Sequence, residues 1–209
     1  MKRFSKILFL LLVILSVTSI SAQDFYKNQW KKVQENSKEG KFKSSLPIIT
    51  ETQNRAMKEN NTIELIKTLK AEFAILNQTS DDENNDSSSK FFAKINTVEA
   101  QLKGDEKIFF KILVSGFVKE YFQENQWKIR QRTNISSENV AAIETWSKLD
   151  FKNYLSKSYF DLDAAKSTLK KRDFLKYKEV FSNTLNADYF QTLYDWYALE
   201  KINFLSNKV

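Results

Sequence analysis

Apolar residues recur every three or four positions along most of this chain, and the interval from Thr62 to Gln78 is the clearest example. Its large apolar residues are Ile63, Ile66, Leu69, Phe73 and Leu76. An α-helix completes one turn in 3.6 residues, so this spacing places all five on one face. The pattern predicts an amphipathic helix that faces a core.

The same periodicity predicts further helices on both sides of this one. They cover about residues 24–39, 45–58, 91–102, 107–123, 150–165 and 187–206, with a weaker segment at 174–181. Gly40 follows the first segment, where a left-handed C-terminal helix cap is expected. The 107–123 segment is apolar on several faces, as is typical of a helix inside a bundle or stack. The last segment is predicted from Tyr194, Ala198, Ile202 and Leu205, at spacings of four, four and three.

Two stretches lack this periodicity. Residues 79–89 contain no apolar side chain and are typical of an exposed loop, while residues 124–147 are polar and β-branched. We therefore predict an all-α protein in which residues 23–123 form a tetratricopeptide-like helical stack. Residues 124–149 are predicted to be an ordered connection, and residues 150–209 a C-terminal helical segment. An irregular helical bundle is the alternative architecture.

Composition supports helices over strands. The chain has only three Gly and one Pro, whereas hairpins and sandwiches need these residues at their turns. It has no Cys, so disulfides are excluded and packing alone must hold the fold. Seventeen Phe, eight Tyr and four Trp supply large side chains for that packing.

The N-terminus has the order of a secretory signal peptide. Lys2, Arg3 and Lys6 precede an apolar stretch over residues 7–17, and small residues lead to Ala22. We predict cleavage after Ala22, so that residues 1–22 are removed and the protein is exported. The periplasm and an outer-membrane-associated or extracellular location both stay open. An uncleaved anchor is the alternative, but a spanning helix needs about 20 apolar residues.

The absences also bear on chemistry. Without Cys or His, the chain has no thiolate nucleophile, no cysteine-ligated metal and no imidazole base. Two Ser-x-x-Lys pairs occur, Ser87 with Lys90 and Ser167 with Lys170, but the companion motifs of acyl-enzyme hydrolases are missing. The acidic run over residues 81–86 lacks the spacing of a calcium loop. We predict no enzyme, no cofactor, and no catalytic, cofactor-binding or metal-binding residue.

Residues 119–132 mix aromatic and basic side chains, including Phe122, Trp127 and Lys128. Such a mixture can stack nucleic-acid bases. The modest basic excess of the chain favours another interpretation, in which aromatic anchors lie beneath a basic surface with cation–π contacts at the edge. We predict protein partners and no nucleic acid.

Four sequence blocks resemble the N-terminal helical region of bacterial alpha-2-macroglobulin family proteins. The first is Trp30-Lys-Lys-Val followed by Gly40, and the second is YFQENQWKI at residues 121–129, continuing to Arg-Thr at 132–133. The third is Thr145-Trp146, where Ser147 replaces the family's acid. The fourth is Thr-Leu-Tyr-Asp at residues 192–195, where Gln191 replaces a proline.

The resemblance implies an envelope or secreted protein that belongs with protease traps. Family members continue into β-domains, a bait region and, in many, a Cys–Gln thioester, none of which this chain contains. The resemblance implies that this chain is a non-catalytic helical module, a fragment of a longer endopeptidase inhibitor. It would act as a scaffold or interaction surface for a target protease or an envelope protein. The alternative hypothesis is a free-standing helical-repeat adaptor of the cell envelope.

Overall fold

A computed structural model describes residues 24–79, 87–132, 142–181 and 189–206. These residues are helical apart from short turns and a single isolated β-bridge between Asp173 and Thr192, which confirms the predicted all-α class. None of the helices in these four ranges has the length and apolar character that crossing a membrane requires.

The helices follow one another with short connections. They are α1 (24–38), α2 (Leu46–Lys58), α3 (Thr62–Thr79), α4 (Ser87–Gln101), α5 (Gly104–Glu124), α6 (Gln126–Arg130), α7 (Lys148–Ala164), α8 (Lys166–Lys170) and α9 (Leu193–Ser206). Between the helices lie the 3₁₀ segments Phe42–Ser45, Ile143–Thr145 and Phe174–Val180.

The chain forms two compact units that divide between Thr79 and Ser80. The boundary falls inside the 23–123 range that we predicted to be one stack. Helix α5 packs with α4 and α7, and the described residues of the 124–149 segment, 124–132 and 142–149, belong to the second unit. In its described residues that segment contains α6 and the 3₁₀ turn at Ile143–Thr145.

The first unit consists of α1, α2 and α3. Its fully buried apolar residues are Ile49, Ala56, Ile66 and Leu69. Gly40 ends α1 with φ +70°, the left-handed conformation that glycine adopts most readily, as the sequence predicted for a helix cap.

Three side-chain hydrogen bonds attach α1 to its neighbours. The Tyr26 hydroxyl donates to Glu59 (2.6 Å), and the Trp30 indole N–H donates to Glu64 (2.6 Å). Gln29 likewise donates to a carboxylate of α2 (3.0 Å). Each acceptor is a carboxylate, so these bonds are of the stronger charge-assisted kind.

In the second unit, α5 is surrounded by other elements. Its buried apolar residues are Phe109, Phe110, Ile112, Leu113, Val114, Phe117, Val118 and Phe122. Burial on more than one face confirms the inference from its apolar pattern, and α4 and α7 are its main neighbours.

An aromatic cluster forms where α4, α5 and α7 meet. The Trp146 ring lies 5.2 Å from Phe92, 5.1 Å from Phe151 and 5.3 Å from Tyr154, centroid to centroid, mostly edge to face. Such pairs add about 0.5–1.5 kcal/mol each beyond the burial of area. The cluster therefore replaces the covalent links that this chain lacks.

Two helix starts differ from the sequence prediction. Ser87 to Ser89 form the first turn of α4, although we assigned them to an exposed loop. Glu144, 55 residues away, accepts a hydrogen bond from the Ser89 backbone N–H (2.6 Å) and so places a negative charge at the positive end of the helix. Helix α9 begins at Leu193, whereas we predicted residue 187; residues 182–188 lie outside the described ranges.

Candidate interaction surface

Side chains join helices α7 and α9, which run in opposite directions, and the closest backbone neighbour of α9 is α8. Near the start of α9, the Tyr194 ring lies 5.1 Å from the ammonium of Lys166 and 5.3 Å from that of Lys170, both of which follow α7. Near the end of α9, Phe204 contacts Tyr159, which is earlier in the chain (5.0 Å between ring centroids). Later residues of α9 thus contact earlier residues of the α7–α8 region, so α7 and α9 are antiparallel.

A buried tyrosine and an ion pair hold this seam together. The Tyr197 hydroxyl lies 2.8 Å from the Tyr159 carbonyl oxygen and 2.9 Å from an Asp163 carboxylate oxygen. Lys201 donates to the other oxygen of Asp163. A second ion pair, between Lys119 and Glu200, attaches α9 to α5.

These contacts shift the acid–base properties of the seam. Burial raises the pKa of the Tyr197 hydroxyl well above its ordinary value, and the neighbouring Asp163 carboxylate raises it further. Burial alone would raise the pKa of Asp163, but the hydrogen bonds from Lys201 and Tyr197 outweigh it and the pKa lies below the ordinary value. Both groups therefore keep their charge states at neutral pH, and α9 is held in one position.

Helix α9 is apolar on two opposite faces. Leu193, Tyr197 and Phe204 are buried against the rest of the unit. Across the helix, Leu199, Ile202 and Leu205 are exposed by 43%, 58% and 64%. Residues spaced by three are neighbours on a helix surface, so the exposed residues form a continuous stripe.

On α7, Phe160 is also a large exposed apolar side chain, with 75% of its surface accessible. Phe160 precedes Asp163 by one turn, and Leu205 follows Lys201 by one turn. Because the helices are antiparallel, Phe160 and Leu205 lie on the same side of the Asp163–Lys201 ion pair, measured along the helix axes. We call Phe160, Leu199, Ile202 and Leu205 the α7–α9 apolar surface. Exposed apolar side chains that occur singly are common, whereas a contiguous group marks an interaction site.

The periodicity that predicted α9 belongs largely to this exposed face. Tyr194, Ala198, Ile202 and Leu205 supported the helix prediction, yet none of them is buried. Apolar residues three or four positions apart predict a helix, but this spacing does not show which face of the helix packs against the core. No candidate site residue was predicted here, although the sequence of α9 has apolar residues on two opposite faces.

The resemblance blocks contain mostly structural residues. Trp146 is buried, and Ser147 forms a capping box with Asp150, in which each side chain accepts a hydrogen bond from the other residue's backbone N–H. Thr192 and Asp195 form the same arrangement at the start of α9. The T-x-x-D part of that block is therefore explained by helix capping.

Trp127 is the exception among these blocks. It is 62% exposed, with the Lys128 ammonium 5.5 Å from its ring. Helix α6 buries Ile129, two positions away, and residues two apart point to different sides of a helix. Phe122 is buried as expected of an aromatic anchor, but that prediction is wrong for Trp127.

The two Ser-x-x-Lys pairs lie in different surroundings. Ser87 is a buried helix-start residue, contrary to the predicted solvated loop, but Lys90 beside it is exposed and so is not a desolvated base. Ser167 and Lys170 are both exposed on α8. The acidic run at 81–86 lies outside the described ranges, and the residues inside them contain no group of three or more metal-ligating side chains.

No protein-family model matches this chain, and neither a curated protein nor a solved structure matches it.

Proposed function

We propose that this protein is a non-catalytic interaction module whose α7–α9 apolar surface binds a protein partner. The observation that carries the proposal is the exposure of four large apolar side chains on two helices fastened together by buried polar contacts. A rigid apolar face keeps its shape before binding, which lowers the entropic cost of association.

The geometry favours an amphipathic helix as the occupant. The seam between two antiparallel helices is a groove bordered by rows of side chains, and a third helix packs into such a groove with its own apolar ridge. Phe160 and Leu205 lie toward the same end of the Asp163–Lys201 ion pair, and Ile202 and Leu199 continue the apolar row along α9. A partner helix with apolar residues three or four apart would cover this row.

The size of the surface predicts a modest affinity. Complete burial of one large apolar side chain contributes about 1.5–3 kcal/mol, so four partly exposed ones supply roughly 4–8 kcal/mol. Association itself costs several kcal/mol. We therefore expect a weak, reversible contact from these four side chains alone, and tighter binding where the partner adds apolar area of its own or charged groups at the rim.

Site-specific photo-crosslinking in the native host tests this proposal. A photoreactive amino acid replaces Ile202, and the control position is Leu175, which is 56% exposed in the 3₁₀ segment Phe174–Val180. We expect one defined adduct at residue 202, absent at residue 175, and an amphipathic helix in the crosslinked peptide. Ile202→Ala should weaken the partner's binding by about tenfold or more. Equal crosslinking at both positions, or at neither, would contradict the proposal.

A more specific proposal follows from the resemblance. In it, the chain is the helical module of a bacterial alpha-2-macroglobulin-like endopeptidase inhibitor, and it acts as a scaffold beside the protease trap. The order of the four blocks along the chain supports this proposal. Two of their residues also have structural roles: Trp30 forms a hydrogen bond within the first unit, and Trp146 is buried in the second. Sequencing the genomic locus past the Val209 codon tests it: an in-frame continuation into β-domains is expected, and a stop codon would favour the free-standing adaptor.

Export through a cleaved signal peptide is part of the same proposal. It is supported by the charged start, the short apolar stretch and the small residues before Ala22. N-terminal sequencing of the protein from fractionated cells should find Gln23 first, in the periplasmic or extracellular fraction. A cytoplasmic chain that begins at Met1 would overturn this proposal.

A further inference from the structure

A polar cleft opens between α4, α5 and α7, within the second unit. Its volume is about 260 Å³. Each helix contributes polar side chains one turn apart, such as Asn96 and Glu99 from α4 and Lys107 and Lys111 from α5. Sites for drug-sized molecules are about 300–1,000 Å³. A space of this size therefore suits a ligand of few heavy atoms.

One group of charges in the cleft is already paired. Asp161 of α7 accepts a hydrogen bond from the Lys111 ammonium (2.6 Å), and the Lys157 ammonium lies 3.7 Å from the same oxygen. The hydrogen bond from Lys111 lowers the pKa of Asp161 below its ordinary value, against the opposing effect of burial. This carboxylate therefore stays ionised and paired at neutral pH.

A second group in the same cleft lacks such partners. Among the residues that the structure describes, the exposed Lys107 ammonium and the half-buried Glu99 carboxylate form no ion pair, and their side chains form no hydrogen bond. The Asn96 amide is likewise without a side-chain hydrogen bond to a described residue. The cleft thus offers one unpaired cation, one unpaired anion and one neutral donor–acceptor group.

We propose that this cleft binds a small zwitterion, such as a free amino acid or a dipeptide. The ligand's carboxylate meets Lys107, its ammonium meets Glu99, and its polar backbone meets Asn96. Glu99 disfavours a dianion such as phosphate, because unpaired like charges repel across a short distance. Lys107 disfavours a simple cation for the same reason. A ligand with both charges satisfies both side chains.

Titration of the full-length mature chain with dialanine, followed by two-dimensional ¹⁵N NMR, tests the proposal. We expect amide shifts confined to α4, α5 and α7, with a dissociation constant of about 1 mM or tighter. N-acetyl-alanine and alanine amide, which each lack one of the two charges, should bind at least about tenfold more weakly, as expected for the loss of a charge-assisted hydrogen bond.

Two variants that remove one charge each test whether Lys107 and Glu99 bind the ligand. Lys107→Gln and Glu99→Gln should each weaken dialanine binding about tenfold or more, while Lys103→Gln, an exposed lysine outside the cleft, should leave it unchanged. Thermal melts that match the unsubstituted protein establish that the variants fold. Failure of dialanine to shift these helices overturns the proposal. It is also overturned if N-acetyl-alanine binds equally tightly or if the two variants have no effect.

Discussion

The hydroxyl of Tyr197 provides a direct test of how the α7–α9 seam is held. Tyr197 is 1% exposed, and its hydroxyl lies within hydrogen-bond distance of the Tyr159 carbonyl oxygen and the Asp163 carboxylate. Tyr197→Phe removes this one group and keeps the ring. We expect the variant to fold and to be less stable than the unsubstituted protein.

The magnitude follows from the partners that remain. A hydrogen bond to a charged group contributes about 1.5–3 kcal/mol, and a neutral one about 0.5–1.5 kcal/mol. Asp163 keeps Lys201 and its side chain is 41% exposed, so water replaces part of what is lost. The Tyr159 carbonyl also retains its place in helix α7. We therefore expect a loss of about 1–2 kcal/mol in the free energy of unfolding.

Urea unfolding followed by tryptophan fluorescence measures this loss, because three of the four tryptophans belong to the same unit as Tyr197. The hydroxyl lowers the pKa of Asp163 in the folded state. The stability that comes from its hydrogen bond to the ionised carboxylate is therefore fully present above the pKa of Asp in the unfolded chain, about 3.9. That contribution disappears as the pH falls through the folded-state pKa. The difference between the two proteins should therefore be larger at pH 7 than in strong acid.

Two results would refute this reasoning. A variant as stable as the unsubstituted protein at pH 7 would mean that the hydroxyl bonds do not stabilise the seam. A stability difference that is constant from pH 7 to acid would mean that Asp163 is not the partner that matters. Asp161→Asn serves as the acid control, since Asp161 lies on the same helix but pairs with Lys111 instead.

Other predictions concern separate features of the fold, all measurable by denaturation. Ser147→Ala removes the capping box of α7 and should cost about 1 kcal/mol, whereas Ser147→Thr should cost much less. Trp146→Ala should cost about 3–5 kcal/mol because the ring is buried, while Trp127→Ala should stay within about 0.5 kcal/mol. Equal losses for the two tryptophans would contradict the described packing. Asn60 has φ +52°, so Asn60→Ala should destabilise the first unit by about 1 kcal/mol and Asn60→Gly should not.

Much of the helical architecture was predictable because it depends on local pattern. The predicted segment at 62–78 corresponds to α3, and the predicted cap at Gly40 ends α1. Periodicity and turn-forming residues act within a few positions of the chain, so they can be recognised without knowledge of the fold. The apolar character of α5 also predicted its central place.

The candidate site was not predictable in the same way. Helix α9 carries two apolar stripes, and only its packing on the other elements of the second unit decides that Tyr197 is buried and Ile202 is exposed. The cleft near Lys107 likewise combines side chains from three helices that are distant in the chain. Such groupings arise from contacts between elements, and one sequence contains no direct record of them.

The amino-acid sequence by itself therefore determined that this protein is built of helices, and where most of them run, because helix formation follows the spacing of neighbouring side chains. Only the tertiary structure decided that the helices divide into two units after Thr79. It also decided that the first turn of α4 donates a hydrogen bond to Glu144, 55 residues away from Ser89. It also decided which face of α9 remains outside. Each of these outcomes depends on contacts between residues far apart in the chain, whose energies exceed any local preference for one helix face over another.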